Sequence, residues 1–212
     1  DISIGETIAD VNHPEALPVI KIEEPTIKMT FGVNTSPFSG QDGQYTTSRN
    51  LKERLEKALE TDVALVVTPA GSPDRWVVAG RGELHLAILI ERMRREGYEL
   101  EVSKPQVIFK AHSTSLGQEV MTEPVELVSI EAPEQCSGII IEMMGRRLGV
   151  MKDMKVDRGQ VFMDFAVPTR GLIGVRNEFL TNTRGQGIMN GIFVGYEAYR
   201  GDFASNPHGS LI

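Results

Sequence analysis

The apolar positions change period several times along the chain, and each change marks an element. Between Thr26 and Val33, Ile27, Met29, Phe31 and Val33 alternate with smaller or polar residues, which predicts a strand with one buried face. Asn34 to about Gln44 is a loop of Ser, Gly, Asn and Asp. Leu51, Leu55, Ala58 and Leu59 then fall at i, i+4, i+7 and i+8, one stripe of a helix whose other face is Lys and Glu. Val63 to Val67 is a short apolar run rich in valine. Ala70-Gly71-Ser72-Pro73-Asp74 reads as a turn, and Trp76-Val77-Val78 as another strand. A second helix starts at Glu83, after Gly80-Arg81-Gly82, and Leu84, Ala87, Ile88 and Glu91 trace its faces. It stops at Gly97 after Arg92, Arg94 and Arg95, cations that suit the negative end of a helix dipole. Tyr98 to Val102 closes the set as a strand.

The order strand, helix, strand, strand, helix, strand then recurs. Pro124–Ile130 is a strand, and Gln135–Leu148 a helix with Ile139, Met143 and Met144 inward, stopped by Gly149. Val150–Val156 and Gln160–Val167 are paired strands about a hairpin turn at Asp157-Arg158-Gly159. Leu172, Val175, Phe179 and Leu180 place a helix after Pro168, and Ile188–Tyr196 is the last strand. Two βαββαβ units of about 80 residues each match the ferredoxin-like split βαβ motif and define an α+β chain. Lys104–Gly117 links them, with a further strand expected at Val107-Ile108-Phe109. Both ends look cut. Asp1 runs directly into the alternating Ile2–Ile8 segment, a strand remnant, and the chain stops on Leu211-Ile212.

Composition narrows the function classes. In 212 residues, 41% are hydrophobic and 24% charged, which excludes collagen-like and wholly disordered chains. No apolar run reaches the length of a spanning helix, and no signal-peptide pattern is visible at the start. The single cysteine, Cys136, has no internal partner, so a cytoplasmic setting is the simplest reading. The net charge is −7, yet residues 141–190 hold eight basic and five acidic residues, net +3, leaving −10 elsewhere. A polyanion spread over the whole molecule would be repelled; a local anionic contact in the C-terminal half would not.

The motifs in the sequence offer little catalysis. No glycine is followed by lysine, so the loop lysine that reaches nucleotide phosphates is missing. Gly80-Arg81-Gly82 precedes a helix and reads as a tight turn before it reads as an anion site. The histidines His13, His85, His112 and His208 are scattered, without ligand spacing, so no metal is expected. His85 reads as a packing or hydrogen-bonding residue, and Cys136 as a structural thiol near a helix start. Glu23-Glu24, and Glu99 with Glu101, read as solvated surface. One RNA signal competes. Arg158-Gly159-Gln160-Val161-Phe162-Met163-Asp164-Phe165 falls where an RNA-recognition sheet carries its stacking aromatics. Gln160 replaces one of those aromatics, Glu126–Ile130 has none, and Phe162 and Phe165 point to opposite faces.

Four separated segments carry a family resemblance: Gly80 to Met93 (GRGELHLAILIERM), Gly32 to Gly40 (GVNTSPFSG), Thr47-Ser48-Arg49, and Pro168 to Gly174 (PTRGLIG). In order, they resemble translational GTPases related to elongation factor G, and most closely the BipA/TypA branch. The resemblance implies residues 1–22 as the end of a β-barrel domain II and 23–103 as ferredoxin-like domain III. It implies 104–198 as ferredoxin-like domain V and 199–212 as the start of a C-terminal domain. The GTPase domain is absent, so GTP and Mg belong to the parent and no catalytic, cofactor or metal residue is assigned here.

What the resemblance implies is a cytoplasmic, ribosome-docking piece of a factor linked to translation regulation, large-subunit assembly and stress response. Domain III would touch the small subunit. Domain V would approach large-subunit rRNA and factor-site proteins near the stalk base and the sarcin–ricin loop. Arg146, Arg147, Lys152, Lys155, Arg158 and Arg170 are the candidate phosphate contacts, since such contacts set position and not sequence. A monomer is expected. The competing readings are an RRM-like single-stranded RNA binder and an enzyme with an unrecognised pocket.

Overall fold

A computed structural model of the chain describes residues 6–18, 24–113 and 119–203. Most of the expected N-terminal strand remnant and the Leu211-Ile212 end lie outside the described residues. The chain divides into two compact units, Asp1–Gln106 and Val107–Ile212.

In the first unit the order is β1 (Ile27–Val33), α1 (Ser48–Thr61), β2 (Val66–Pro69), β3 (Arg75–Gly80), α2 (Glu83–Arg95) and β4 (Leu100–Val102). The strands are antiparallel in the order β2-β3-β1-β4, so the first and third strands lie side by side at the centre. Thr47 caps α1, its hydroxyl accepting the Asn50 N–H. Leu51, Leu55 and Ala58 bury their side chains as the stripe predicts, whereas Leu59 is exposed. In α2 the buried face is Leu86, Leu89 and Met93, while Leu84 and Ile88 face out. The run Leu84-His85-Leu86-Ala87-Ile88-Leu89-Ile90 is apolar on nearly every side, so its period does not select a face.

Between the expected strand 107–109 and the structure there is a shift. Two short strands, β5 (Gln106–Val107) and β6 (Lys110–Ser113), flank that position. The second unit continues with β7 (Glu119–Pro133), α3 (Ser137–Arg146), β8 (Val150–Asp157), β9 (Gln160–Pro168), α4 (Thr169–Leu172), α5 (Val175–Asn182) and β10 (Ile188–Ala198). Its antiparallel order is β10-β7-β9-β8, with β6 added beside β7. Both units are thus ferredoxin-like, and the fold is α+β.

The core of the second unit joins Val128, Ile130, Met163 and Phe165 of the sheet to Ile140, Met143, Met144, Val175 and Phe179 of the helices. Ile140, not Ile139, turns inward: the Ile139-Ile140-Ile141 run offers three candidates to a periodicity argument, and Ile140 shares the i, i+3, i+4 face of Met143 and Met144 that packs into the core. The hairpin turn is as expected: Arg158 (φ 50°) and Gly159 (φ 78°) both adopt the left-handed conformation that a tight β8–β9 connection needs. No helix among the described residues is long and apolar enough to cross a membrane.

Candidate nucleic-acid interface

The six basic candidates do not share one face, and two of them are engaged inside the second unit. Arg147, at the C-terminal end of α3, donates through Nη1 to the carbonyls of Gly171 (2.8 Å) and Ile173 (3.2 Å). Its Nη2 donates to Glu178 (2.9 Å). The side chain therefore ties α3 to the Pro168–Gly174 segment and to α5. Arg170 donates through Nε and Nη2 to the two carboxylate oxygens of Glu123, whose side chain is 0% exposed. Its guanidinium lies over the rings of Tyr199 (4.7 Å) and Phe203 (5.1 Å), and it also donates to the Gly201 carbonyl. The Arg200 N–H completes the shell of Glu123 at 2.9 Å. A carboxylate so buried is tolerated because each oxygen meets a charged or backbone donor.

Of the other four, Arg146, Lys152 and Arg158 lie toward the rim, and Lys155 lies on the sheet beside Phe162. Arg146 is 63% exposed, with Glu142 and Glu178 no closer than 3.7 and 3.9 Å, the kind of loose surface pairing that is worth little. Lys152 sits in a bulge of β8 between Met151 and Asp153. Lys155 faces Phe162 across the β8–β9 ladder, and Arg158 tips the hairpin. Among the described residues, Lys152, Lys155 and Arg158 have no ion-pair partner. Lys152 and Arg158 are six residue steps apart along β8 and its turn, about 20 Å, so one short stretch of backbone cannot contact both ends at once. Arg146 and Lys152 share one end, because Arg147, Leu148 and Gly149 alone connect α3 to β8.

Two exposed arginines were missed as candidates. Arg176 stands in the first turn of α5, two residues before Glu178, and Arg184 lies just beyond that helix. Glu178 of α5 lies between Arg146 and Arg147 at the end of α3, a proximity across about thirty residues that local sequence does not show.

Other singled-out residues serve the fold. The Nε2–H of His85 donates to Asp62 Oδ2 (2.6 Å), and its Nδ1 accepts the Arg81 N–H (3.3 Å), so the Gly80-Arg81-Gly82 turn is closed by the helix it starts. Burial works against ionisation of Asp62, but the His85 hydrogen bond, with further help from the Ala64 N–H and Arg81, holds its carboxyl below the usual range. Cys136 is half-buried, its Sγ 3.8 Å from the Asn182 carbonyl. Glu99 and Glu101 are more than solvated surface. Glu99 accepts the N–H groups of Gly40, Asp42 and Gly43 (2.9–3.3 Å) and the Asn34 amide (2.6 Å), clasping the long loop before α1. The Gly40 N–H above all, opposed by desolvation, draws its carboxyl below the ordinary value. Glu101 pairs with Arg75 at 2.6 Å. Phe162 is exposed and Phe165 is in the core, as their spacing requires.

Comparison with known proteins matches two family descriptions in order: "Elongation Factor G, domain III" over residues 43–104 and "Elongation factor G C-terminus" over 120–207. The chain is 52% identical, over its whole length, to the large ribosomal subunit assembly factor BipA of Bacillus subtilis. It is 48% identical, again over its whole length, to the chloroplastic TypA-like SVR3 of Arabidopsis thaliana. The chain belongs to the BipA/TypA family. Its identity to the BipA of Escherichia coli O157:H7 is 44%, also across the whole chain. The chain spans about a third of the length of these BipA/TypA relatives, 34%, 31% and 34% in turn. A crystal structure from Thermus thermophilus aligns with a TM-score of 0.52 at 15% identity, over 86% of this chain and 42% of the other, and supports the fold alone.

Proposed function

We propose that this chain is the ribosome-docking portion of a BipA/TypA-type translational GTPase acting in large-subunit assembly, translation regulation and stress response. It is cytoplasmic and monomeric and is not itself catalytic. The observation that carries the reading is the whole-chain match to relatives named large ribosomal subunit assembly factors. The second unit is the rRNA-facing part, through Arg146 and Lys152 at one end and Arg158 at the other, whereas Lys155 lies among Glu131, Asp153 and Asp164 and is set aside. Loosely paired or unpaired cations at the rim are what a phosphate backbone meets first. The first unit faces the small subunit.

GTP and Mg do not fit the described residues of this chain. No three His, Cys, Asp or Glu side chains gather where a metal could sit among the described residues, and the Gly80-Arg81-Gly82 turn carries no lysine. Nucleotide chemistry is accordingly assigned to a domain outside it.

The test is co-sedimentation of the chain with purified large ribosomal subunits at low and moderate salt. Arg146→Glu/Lys152→Glu is expected to abolish a salt-sensitive association, while Glu56→Lys on α1 leaves it intact. Association that is indifferent to salt and to the double variant would overturn the assignment of the rim.

A further inference from the structure

The helix-free side of the second unit's sheet has a composition unlike the rim. Cross-strand register sets two rows on it. One runs Ile188, Glu131, Phe162, Lys155 and the next Asn190, Ser129, Asp164, Asp153. Together these residues line a shallow cleft of about 350 Å³. Phe162 and Ile188 are 40% and 55% exposed, and Ile192, one step along β10, is 66% exposed. The cleft lining carries three carboxylates, Glu131, Asp153 and Asp164, against the single cation Lys155. The excess of positive charge in residues 141–190 therefore lies outside this cleft, whose lining is acidic.

Asp153 and Asp164 are direct cross-strand partners, a like-charge juxtaposition that a sheet avoids unless something offsets it. Asp164 accepts the Ser129 hydroxyl at 2.7 Å, and neither aspartate has an ion-pair partner among the described residues. A phosphate backbone would be repelled here, and Phe162 is the one aromatic lining the cleft, too few for base stacking. Apolar side chains between carboxylates suit the opposite occupant. We infer that this sheet face docks a basic protein segment, one presenting lysines or arginines to Asp153, Asp164 and Glu131 and an apolar side chain to Phe162 and Ile188. The inference is independent of the rRNA contact at the rim.

The probe is a short fluorescein-labelled peptide alternating lysine and leucine, titrated into the whole chain by anisotropy. A glutamate–leucine peptide of equal length and a short oligouridylate serve as comparisons. Binding of the basic peptide is expected, with Glu131→Lys/Asp153→Lys weakening it by about tenfold or more, as desolvated charge pairs do at interfaces. Phe162→Ala is expected to weaken it less, and charge reversal on α1 (Glu56→Lys/Glu60→Lys) to change it little. Amide shifts of Ser129, Phe162 and Asn190 in the unaltered chain locate the contact without any variant. No binding at about 1 mM peptide, a loss no larger than that of the α1 variant, or preferential binding of oligouridylate at these residues would each overturn the inference.

Discussion

Arg170→Ala separates an arginine that builds the fold from one that waits for a ligand. The substitution removes both hydrogen bonds to Glu123 and the bond to the Gly201 carbonyl, and leaves Glu123 buried with the Arg200 N–H as its remaining donor. Breaking a buried ion pair from one side costs about 3–5 kcal/mol, because the surviving charge is stranded. At an m-value of about 2 kcal/mol/M in urea, that lowers the unfolding midpoint of the second unit by roughly 1.5–2.5 M. The assay is a urea series read by hydrogen-exchange mass spectrometry of peptides from β7 and β9, which hold Glu123 and its neighbours. Glu123→Met/Arg170→Met removes both charges and is expected to recover most of the loss. A shift below about 0.5 kcal/mol for Arg170→Ala, the size of an ordinary surface change, would refute the argument and return Arg170 to the phosphate-contact candidates.

Three further outcomes are expected. A Cβ at Gly187 would lie 2.4 Å from the Phe179 ring, so Gly187→Ala should destabilise the second unit by about 1–3 kcal/mol in the same urea assay. Glu99→Gln should release the loop over residues 34–44, seen as lost exchange protection at Gly40 and Gly43. Because the Glu99 carboxyl is held below its ordinary value, its contribution is fully present above the unfolded-state value near 4.5, and is lost as pH falls through the folded value. In the unaltered chain, protection relative to intrinsic rates should therefore fade on acidification. Glu126 behaves in the opposite sense: burial pushes its carboxyl up, with Thr169 opposing, so the folded state favours the protonated form and loses stability as pH rises. Glu126→Gln should raise the melting temperature at neutral pH and bring little gain near pH 4, where an unfolded glutamate is itself largely protonated.

The order of elements was legible because each strand and helix carries its own period, and the Asp157-Arg158-Gly159 turn carries its own chemistry. Faces were less legible where apolar residues crowd. Ile139, Ile140 and Ile141 are interchangeable to a periodicity argument, and the tertiary contact with Met163 and Phe165 decides among them. The site was least legible. A count of charges places Arg147 and Arg170 beside Arg146 and Lys155 as equals, but their partners Glu178 and Glu123 lie 31 and 47 residues away. Likewise, Asp153 and Asp164 look like neutralising neighbours of the basic residues. Pleating sends them to one face and leaves most of the cations at the edges and tips.

The anchoring of Arg200 has a mechanical side. Its N–H holds Glu123, its Nη1 donates to the Leu148 and Ala166 carbonyls (2.8 and 3.1 Å), and the Tyr199 N–H bonds Met121 (3.0 Å). These contacts lie just beyond β10, an end strand of the second unit's four-strand path. A pull on the residues that follow therefore cannot peel β10 from β7 one hydrogen bond at a time. The load first meets a knot that binds β7, β9 and the α3–β8 connection together, and the strand comes away only after that knot yields. The exit from the second unit thus acts as a strain relief, keeping tugs from beyond Phe203 out of the sheet.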